Sequence, residues 1–220
     1  MGAPPVTGLR VVLSNCADAS READFNAWYD AYAVDILWPR QLVNVQRYCN
    51  PARPGDAAQA RYLALYDIVT PDPAIAWPET RDHPTRPRRD KSPLLDTVLA
   101  ATYRIERATG PARSGVTGVL AVFSDCNDTA RADEARAWRE RLLSEAMAGG
   151  VFTRASLSVN VEGVPEQPQY LNVFETTRPD AMTACGAVLA QLQPGAALAP
   201  PACVRSRYCD AWRGIFMAGD

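Results

Sequence analysis

The sequence predicts an α+β protein made of two ferredoxin-like βαββαβ repeats that pack sheet to sheet as an intramolecular α/β barrel. Two observations support this fold class. The 220-residue chain resembles itself at an offset of about 110 residues. Each half also alternates short apolar runs with segments of helical periodicity, in the order strand, helix, strand, strand, helix, strand. The repeats are assigned to residues 1–110 and 115–220, and the segment from Gly110 to Gly115 is the predicted linker.

The internal repeat can be followed residue by residue. At an offset of 110 the matching pairs are Thr7 and Thr117, Gly8 and Gly118, Ser14 and Ser124, Cys16 and Cys126, Asp18 and Asp128, Trp28 and Trp138, and Asn50 and Asn160. Further along, the run from Tyr62 to Asp67 matches the run from Tyr170 to Glu175 at an offset of 108. A fixed period of this kind indicates two copies of one structural unit.

The first half opens with an apolar run that predicts a strand over Leu9 to Asn15. The segment from Asp18 to Trp38 carries aromatic and aliphatic residues at helical spacing, so it predicts an amphipathic helix with an unusually aromatic face. Asp18 or Ser20 is the expected N-cap, because a short polar side chain accepts a hydrogen bond from the first turn. Pro39 is expected to end the helix.

The rest of the first half contains three predicted strands and a second, short helix. The strands cover Val43 to Tyr48, Arg61 to Val69 and Thr102 to Arg107. Both faces of the strand over Arg61 to Val69 are apolar, which predicts a sheet covered on both sides. A helix is expected to start at Pro71-Asp72-Pro73 and to break at Pro78. Residues 79–93 are rich in proline and arginine and predict a loop or lid, after which Leu94 to Leu99 is expected to resume a helix.

The second half repeats this order. The predicted strands are Val119 to Ser124, Thr153 to Val161, Gln169 to Glu175 and Arg207 to Phe216, and the predicted helices are Thr129 to Ala148 and Asp180 to Leu192. In the first of these helices Ala135, Trp138, Leu142 and Met147 are expected to point inward.

Composition and charge argue against several classes of function. A formal net charge of -2 offers no electrostatic case for nucleic-acid binding. The basic run Arg86, Arg88, Arg89 and Lys91 is interrupted by Pro87 and Asp90 and is interpreted as a solvated loop. The six cysteines have no C-x-x-C pair, and the chain has one histidine, so no metal site is predicted. No signal sequence or membrane span is recognised, and the expectation is a soluble cytoplasmic protein with reduced, mostly buried cysteines.

Several motifs resemble the dimeric α/β-barrel superfamily, in particular its EthD-like branch. They are V-V-L-S-N (Val11 to Asn15), F-N-A-W-Y-D (Phe25 to Asp30), D-I-L (Asp35 to Leu37) and Y-L-A-L-Y-D (Tyr62 to Asp67). The resemblance covers nearly the whole chain twice and implies two ferredoxin-like units packed sheet to sheet. Members of this branch usually carry a histidine a few residues after the W-Y-D. Here Ala33 stands at that place, and the second copy reads W-R-E with no histidine following, so the usual chemistry is not expected in its usual form.

Candidate site residues cluster in the first half, where a pocket is expected between the sheet and its two helices. Trp28, Tyr29, Trp38, Tyr66 and Trp77 are predicted to bind substrate, and His83, Tyr32 and Asn15 are the catalytic candidates. Each has an alternative interpretation. The aromatic residues could be ordinary core, His83 could be an exposed loop residue, and Asn15 and its counterpart Asp125 could cap the helices that follow.

The functional hypothesis is an enzyme that needs no cofactor and acts by proton transfer on a hydrophobic aromatic or polyketide-like molecule, through cyclisation, isomerisation or elimination. A cofactor-free oxygenase is a variant of it. The alternative is a non-catalytic binding protein that has lost the family histidine. The superfamily resemblance also includes haem-binding relatives, for which His83 would have to be the axial ligand. The expected partner is a hydrophobic small molecule, and a monomer is the default, with further dimerisation left open.

Overall fold

The computed structural model of the chain describes residues 5–53, 59–111 and 115–219. It divides into two compact units. Unit 1 comprises Met1–Arg104 and Ile215–Asp220, and unit 2 comprises Ile105–Gly214. Parts of the predicted turn over residues 50–57 and of the linker lie outside the described residues.

Unit 1 has the order of a ferredoxin-like fold. Its elements are β1 (Gly8–Cys16), α1 (Glu22–Ile36), β2 (Leu42–Cys49), β3 (Tyr62–Ile68), α2 (Pro73–Asp82) and β4 (Leu95–Thr109), of which the residues up to Arg104 belong to this unit. β1 lies between β3 and β4, and β3 also pairs with β2, with every one of these pairs antiparallel. The strand order β4-β1-β3-β2 is the one expected of a split β-α-β arrangement.

Unit 2 repeats this order. Its elements are β5 (Gly118–Cys126), α3 (Ala132–Ala148), β6 (Arg154–Asn160), β7 (Tyr170–Thr176), α4 (Ala181–Gln191) and β8 (Val204–Gly219), of which the residues up to Gly214 belong to this unit. β5 pairs with β7 and β8, and β7 pairs with β6. The strand order is therefore β8-β5-β7-β6, the counterpart of that in unit 1.

All the strand pairs described above are antiparallel, so each unit carries a four-stranded antiparallel sheet. Together with the four helices this confirms the predicted α+β fold class. The sheet is covered on both sides, as the apolar strands predict, because every residue of β3 is buried. In β1, Leu9, Val11 and Leu13 on one face and Arg10 on the other are all less than a tenth exposed.

The two units also share local details. Asp18 accepts a hydrogen bond from the backbone N–H of Ser20, and Asp128 accepts one from that of Ala130. Each aspartate caps a short 3-10 turn, and the α-helix starts immediately after that turn. The bulge between Leu13 and Ser14 in β1 has its counterpart between Phe123 and Ser124 in β5.

Two predicted helix boundaries are wrong. Pro78 does not break α2, which continues to Asp82, because Asp72 caps its first turn by accepting from the Ala74 N–H and the remaining turns tolerate the one missing donor. The predicted helix over Leu94 to Leu99 is instead the start of β4. Leu99 pairs with Leu13 and Leu95 pairs with Cys16, so pairing with β1 overrides the local propensity.

Gly8 and Gly118 mark equivalent close approaches between the start of a strand and the helix at its side. A Cβ on Gly8 would lie 2.6 Å from the Tyr103 carbonyl oxygen and 2.7 Å from Cβ of Pro73. A Cβ on Gly118 would lie 2.5 Å from Cβ of Ala181. In both units the glycine therefore lets the first turn of the second helix lie directly against the sheet.

We expect Gly8→Ala to lower the free energy of unfolding by about 1–3 kcal/mol, because the added methyl group meets backbone and proline atoms that cannot yield. The matched control is Gly186→Ala in α4, where a Cβ has open space. That change should stabilise by about 0.5–1 kcal/mol through helix propensity. Urea unfolding followed by circular dichroism measures both. Equal stabilities for the two variants would contradict the close approach.

Candidate functional site

A cavity of about 260 Å³ lies inside unit 1, between the helices and strands β1, β3 and β4. Its walls combine two kinds of side chain. The aromatic residues are Trp28, Tyr29, Tyr32, Tyr66 and Trp77, and the cationic residues are Arg10, Arg86, Arg89 and Lys91. The lining contains no carboxylate and no imidazole. An apolar, aromatic hollow with a few convergent polar groups is typical of a small-molecule site.

α1 supplies most of the aromatic wall, because residues three and four positions apart share a helix face. The rings of Trp28 and Tyr32 are stacked, with centroids 5.0 Å apart and an interplanar angle of 12°. Tyr29 meets Trp28 edge to face at 5.8 Å and Tyr32 edge to face at 6.1 Å. The stacked pair and the ring perpendicular to it form a rigid surface against which a flat ring can pack.

A polar row crosses the floor of the cavity. Arg10 on β1 pairs with Tyr66 of β3 on one side and with Thr102 of β4 on the other. Its Nη1 donates a hydrogen bond to Thr102 Oγ1 at 3.0 Å, and its guanidinium carbon lies 4.8 Å from the centre of the Trp77 ring. The strand register therefore places one positive charge beside a phenol, at the base of an aromatic site.

The phenols of the cavity are held in their neutral form. Burial raises the pKa of Tyr29 to about 12, against the attraction of Arg47. Burial and the neighbouring Tyr29 raise the pKa of Tyr66 well above its usual value. The Tyr66 hydroxyl is buried next to the Tyr29 hydroxyl and makes no further hydrogen bond within the described residues. Burial also raises the pKa of Tyr32, although Arg86 and Arg10 oppose the shift. Near neutral pH all three hydroxyls are therefore hydrogen-bond donors.

The structure brings together five of the eight predicted site residues, namely Trp28, Tyr29, Tyr32, Tyr66 and Trp77. The others lie elsewhere. Trp38 is 60% exposed, and its Nε1 donates to Thr85 Oγ1. His83 does not line the cavity, and its Nδ1 lies 3.1 Å from the same threonine hydroxyl.

Asn15, the third catalytic candidate, does not line the cavity, and its side chain forms a hydrogen bond with the backbone. Its Oδ1 accepts from the backbone N–H of Arg61 at 2.8 Å, and Asp125 accepts in the same way from Gln169. The alternative that these residues cap the following helices is wrong, because Asp18 and Asp128 do so. Asn15 and Asp125 instead bind the residue just before β3 or β7.

Sequence reasoning missed the four cations. The interpretation of the basic run as a solvated loop holds for Arg88, Arg89 and Lys91, which are exposed, although Arg89 and Lys91 also line the cavity. It is wrong for Arg86, which is half-buried in the cavity wall. Pro87 and Asp90 interrupt the run in the sequence, but Arg86, Arg89 and Lys91 still reach the same cavity. Arg10 carried a usable signal, since a charged residue inside the apolar run Leu9 to Leu13 needs a buried partner.

The equivalent region of unit 2 is packed differently. Trp138, the counterpart of Trp28, is only 3% exposed, and its Nε1 donates to the Leu198 carbonyl. It belongs to a core cluster that includes Phe152 and Phe174, whose rings lie 5.4 Å apart. A wider depression of about 550 Å³, lined by polar residues such as Asp125, Gln169 and Arg205, lies at the end of β5.

Within the residues the structure describes, no group of three or more His, Cys, Asp or Glu side chains is placed to hold a metal ion. Of the helices so described, none combines the length and the apolar character needed to span a membrane. None of the six cysteines, all of which lie in the described part of the chain, forms a disulfide, and four of them are buried.

Comparison with known proteins identifies the fold. No protein-family model matches the chain, and no curated protein matches it in sequence. Among solved structures, a candidate chlorite dismutase superposes with a TM-score of 0.59 at 12% identity, over 95% of this chain and 94% of that one. A haem-binding protein from Thermus thermophilus gives 0.54 at 11%, over 98% and 96%. An anthrone oxidase-like protein gives 0.54 at 9%, over 100% and 95%. The chain therefore shares its fold with these solved structures.

The similar structure from Thermus thermophilus is a haem-binding protein, and haem iron is held by His, Cys, Met or Tyr side chains. The single histidine of the chain, His83, lies outside the cavity of unit 1. The tyrosines that do line the cavity have raised pKa values, so they are poor sources of the phenolate that a Tyr ligand requires. The residues of this cavity do not fit a haem.

The buried phenols predict a loss of stability in alkali. Between pH 10 and about 12 the unfolded chain releases the proton of Tyr29 while the folded chain retains it, so stability falls as the pH rises through this window. We expect a slope of about 1.4 kcal/mol per pH unit for each such tyrosine. Urea unfolding at stepped pH values measures the slope, and Tyr29→Phe should reduce it. A wild-type stability that is constant from pH 10 to 12 would be inconsistent with buried neutral phenols.

Proposed function

We propose that the cavity of unit 1 is the active site of an enzyme that needs no cofactor. The enzyme would catalyse proton transfer to and from a hydrophobic, polycyclic aromatic or polyketide-like molecule. One observation carries the proposal. The hydroxyl of Tyr66, which is buried next to that of Tyr29 and makes no further hydrogen bond among the described residues, lies beside Arg10 at the floor of an aromatic cavity. A buried donor next to a buried cation is the arrangement that stabilises an oxyanion.

The chemistry follows from these groups. A ring ketone that packs against the Trp28 and Tyr32 stack presents its oxygen to the hydroxyl of Tyr66. When a neighbouring C–H bond loses its proton, the electron pair moves onto that oxygen, and the resulting enolate accepts a hydrogen bond from the phenol in the field of Arg10. The released proton passes to water, since no carboxylate or imidazole lines the cavity. The substrate must therefore be one whose anion is already delocalised, and Tyr32 is placed to return a proton.

The test uses anthrone in D₂O, with deuterium uptake at the acidic carbon followed by mass spectrometry. Tyr66→Phe should slow the exchange by about a hundredfold, because it removes one oxyanion donor. Tyr32→Phe should slow it by a similar factor if Tyr32 carries the proton. His83→Ala should leave the rate unchanged, because its ring lies outside the cavity lining.

Equal rates in the wild type and in Tyr66→Phe, with anthrone bound, would overturn the proton-transfer proposal. Binding without exchange would favour the alternative of a non-catalytic binding protein. A lower rate of deuterium exchange in His83→Ala would show that the histidine takes part in catalysis.

A cofactor-free oxygenase is the second candidate, favoured by the likeness to an anthrone oxidase-like structure and by a cavity equipped to hold a substrate anion. In that reaction the anion is oxidised by dioxygen. The CH₂ of anthrone becomes a carbonyl, one oxygen atom enters the product, and the other leaves as water with the two hydrogens. Oxygen uptake with ¹⁸O₂ labelling of the quinone distinguishes this reaction from simple exchange.

We also infer that the chain is a tandem duplication of an EthD-like unit, with repeats over residues 1–110 and 115–220. The support is the set of equivalent caps, bulges and backbone bonds described above. A further pair is Cys16 and Cys126, whose Sγ atoms donate to the carbonyls of Asp18 and Asp128, both at 3.0 Å.

A further inference from the structure

One cation of the cavity has no protein partner for most of its guanidinium group. Nε and Nη1 of Arg86 are buried, and neither makes a hydrogen bond to any described residue. A buried charged donor left unsatisfied costs free energy, and the cost is larger than for a neutral donor. The side chain lines the cavity. Its unused donors therefore indicate a ligand group that would accept from them.

Arg86 lies on the segment over residues 83–93, here called the strap, which connects α2 to β4. Three contacts with α1 and the residues just after it hold the strap. Trp28 Nε1 donates to the Asp90 carbonyl at 3.1 Å, and Trp38 Nε1 donates to Thr85 Oγ1 at 3.2 Å. Arg89 forms an ion pair with Asp35, with Nε 2.8 Å from Oδ2. The guanidinium of Arg86 is thus carried by a segment tied on both sides of it.

The lining of the cavity contains four cations and no carboxylate. Near it, the carboxylate of Asp82 is bound by Arg81, whose hydrogen bond lowers the pKa of Asp82, and Arg86 helps to lower it. Arg10 has its bond to Thr102 and its contact with the Trp77 ring, and Arg89 has Asp35. Two buried nitrogens of Arg86 have no hydrogen-bond partner among the described residues, and Lys91 adds another positive charge at the cavity wall. Arginine recognises a planar oxyanion better than any other side chain because its donors match the oxygens in position and charge.

We propose that Arg86 is a specificity-determining residue that binds the carboxylate of an aromatic acid whose ring packs against the Trp28 and Tyr32 stack. This deepens the proposed function, since it uses the same cavity and names the substrate class. It requires binding only, so it stands or falls independently of any reaction. The ligand that fits has two ends: a polycyclic ring on the aromatic wall and a carboxylate toward the strap.

The experiment compares 2-naphthoate with its neutral isostere 2-naphthamide, using isothermal titration calorimetry on the full chain. We expect the wild type to prefer the carboxylate by about tenfold to a hundredfold, the range of a hydrogen bond to a charged group. Arg86→Gln should remove most of this preference by weakening 2-naphthoate alone. Arg88→Gln is the matched control, because Arg88 lies on the same strap but is exposed and does not line the cavity.

A second readout separates recognition from a structural role. Without ligand, Arg86→Gln should have a Tm equal to or above that of the wild type, because it removes a buried charge that lacks partners. With 2-naphthoate, the Tm of the wild type should rise more than that of the variant. A drop in Tm without ligand, or equal weakening of both ligands, would assign Arg86 to packing and overturn the proposal.

The remaining outcomes also decide. If neither 2-naphthoate nor the longer anthracene-2-carboxylate binds the wild type, or if Arg88→Gln matches Arg86→Gln, the proposal is wrong. If the carboxylate preference is present and depends on Arg86 but no substrate exchanges deuterium, the inference holds and the proposed catalysis fails. If anthrone exchanges at a rate that depends on Tyr66 while Arg86→Gln shows the wild-type preference, the reverse is true.

Discussion

Positive charge in the wall of an aromatic cavity whose lining contains no carboxylate is the constraint on which the site in unit 1 depends. Four cationic side chains line this wall; Arg89 and Lys91 are exposed, whereas Arg10 and part of the Arg86 guanidinium are buried and need partners that offset the cost of burial. Arg10 is stabilised by Thr102 and by the face of Trp77. The phenols stay neutral because burial outweighs the attraction of the cations. The burial of cations among neutral aromatic side chains is what motivates the proposal of an aromatic anion as ligand.

Each unit also buries a guanidinium group against a tyrosine ring, but the two arginines come from different elements. In unit 1, Arg47 of β2 lies 4.2 Å from the centre of the Tyr29 ring and pairs with Asp30 of α1. In unit 2, Arg139 of α3 lies 4.3 Å from the centre of the Tyr170 ring and bonds to Asn172 of β7. The cation Arg139 lies on helix α3 in unit 2, whereas in unit 1 helix α1 supplies the anion, Asp30. The two units therefore share a fold but differ in their buried polar groups, just as Trp138 is packed in the core of unit 2 while Trp28 lines the cavity of unit 1.

The sequence predicted the aromatic part of the site because periodicity reports which residues share a face. Spacing along α1 put Trp28, Tyr29 and Tyr32 together, and alternation along β3 added Tyr66. Trp38 failed because α1 ends at Ile36, so the helical face does not extend to it. His83 was chosen for its pKa, a property of the residue type, which says nothing about where a loop places the ring. The arginines of the strap were missed because their position depends on contacts with distant residues such as Asp35 and Trp28.

By itself the sequence determined the order of the elements, the likeness of the two halves and the apolar faces of the strands, since all of these follow from local propensity and from matching at a fixed offset. Tertiary structure alone decided that residues 95–99 are strand rather than helix, because pairing with β1 outweighs the local preference. It also decided that Arg10, Tyr66 and Arg86 meet at one cavity. These three residues lie on two strands and a strap, and only strand register and long-range hydrogen bonds bring them together.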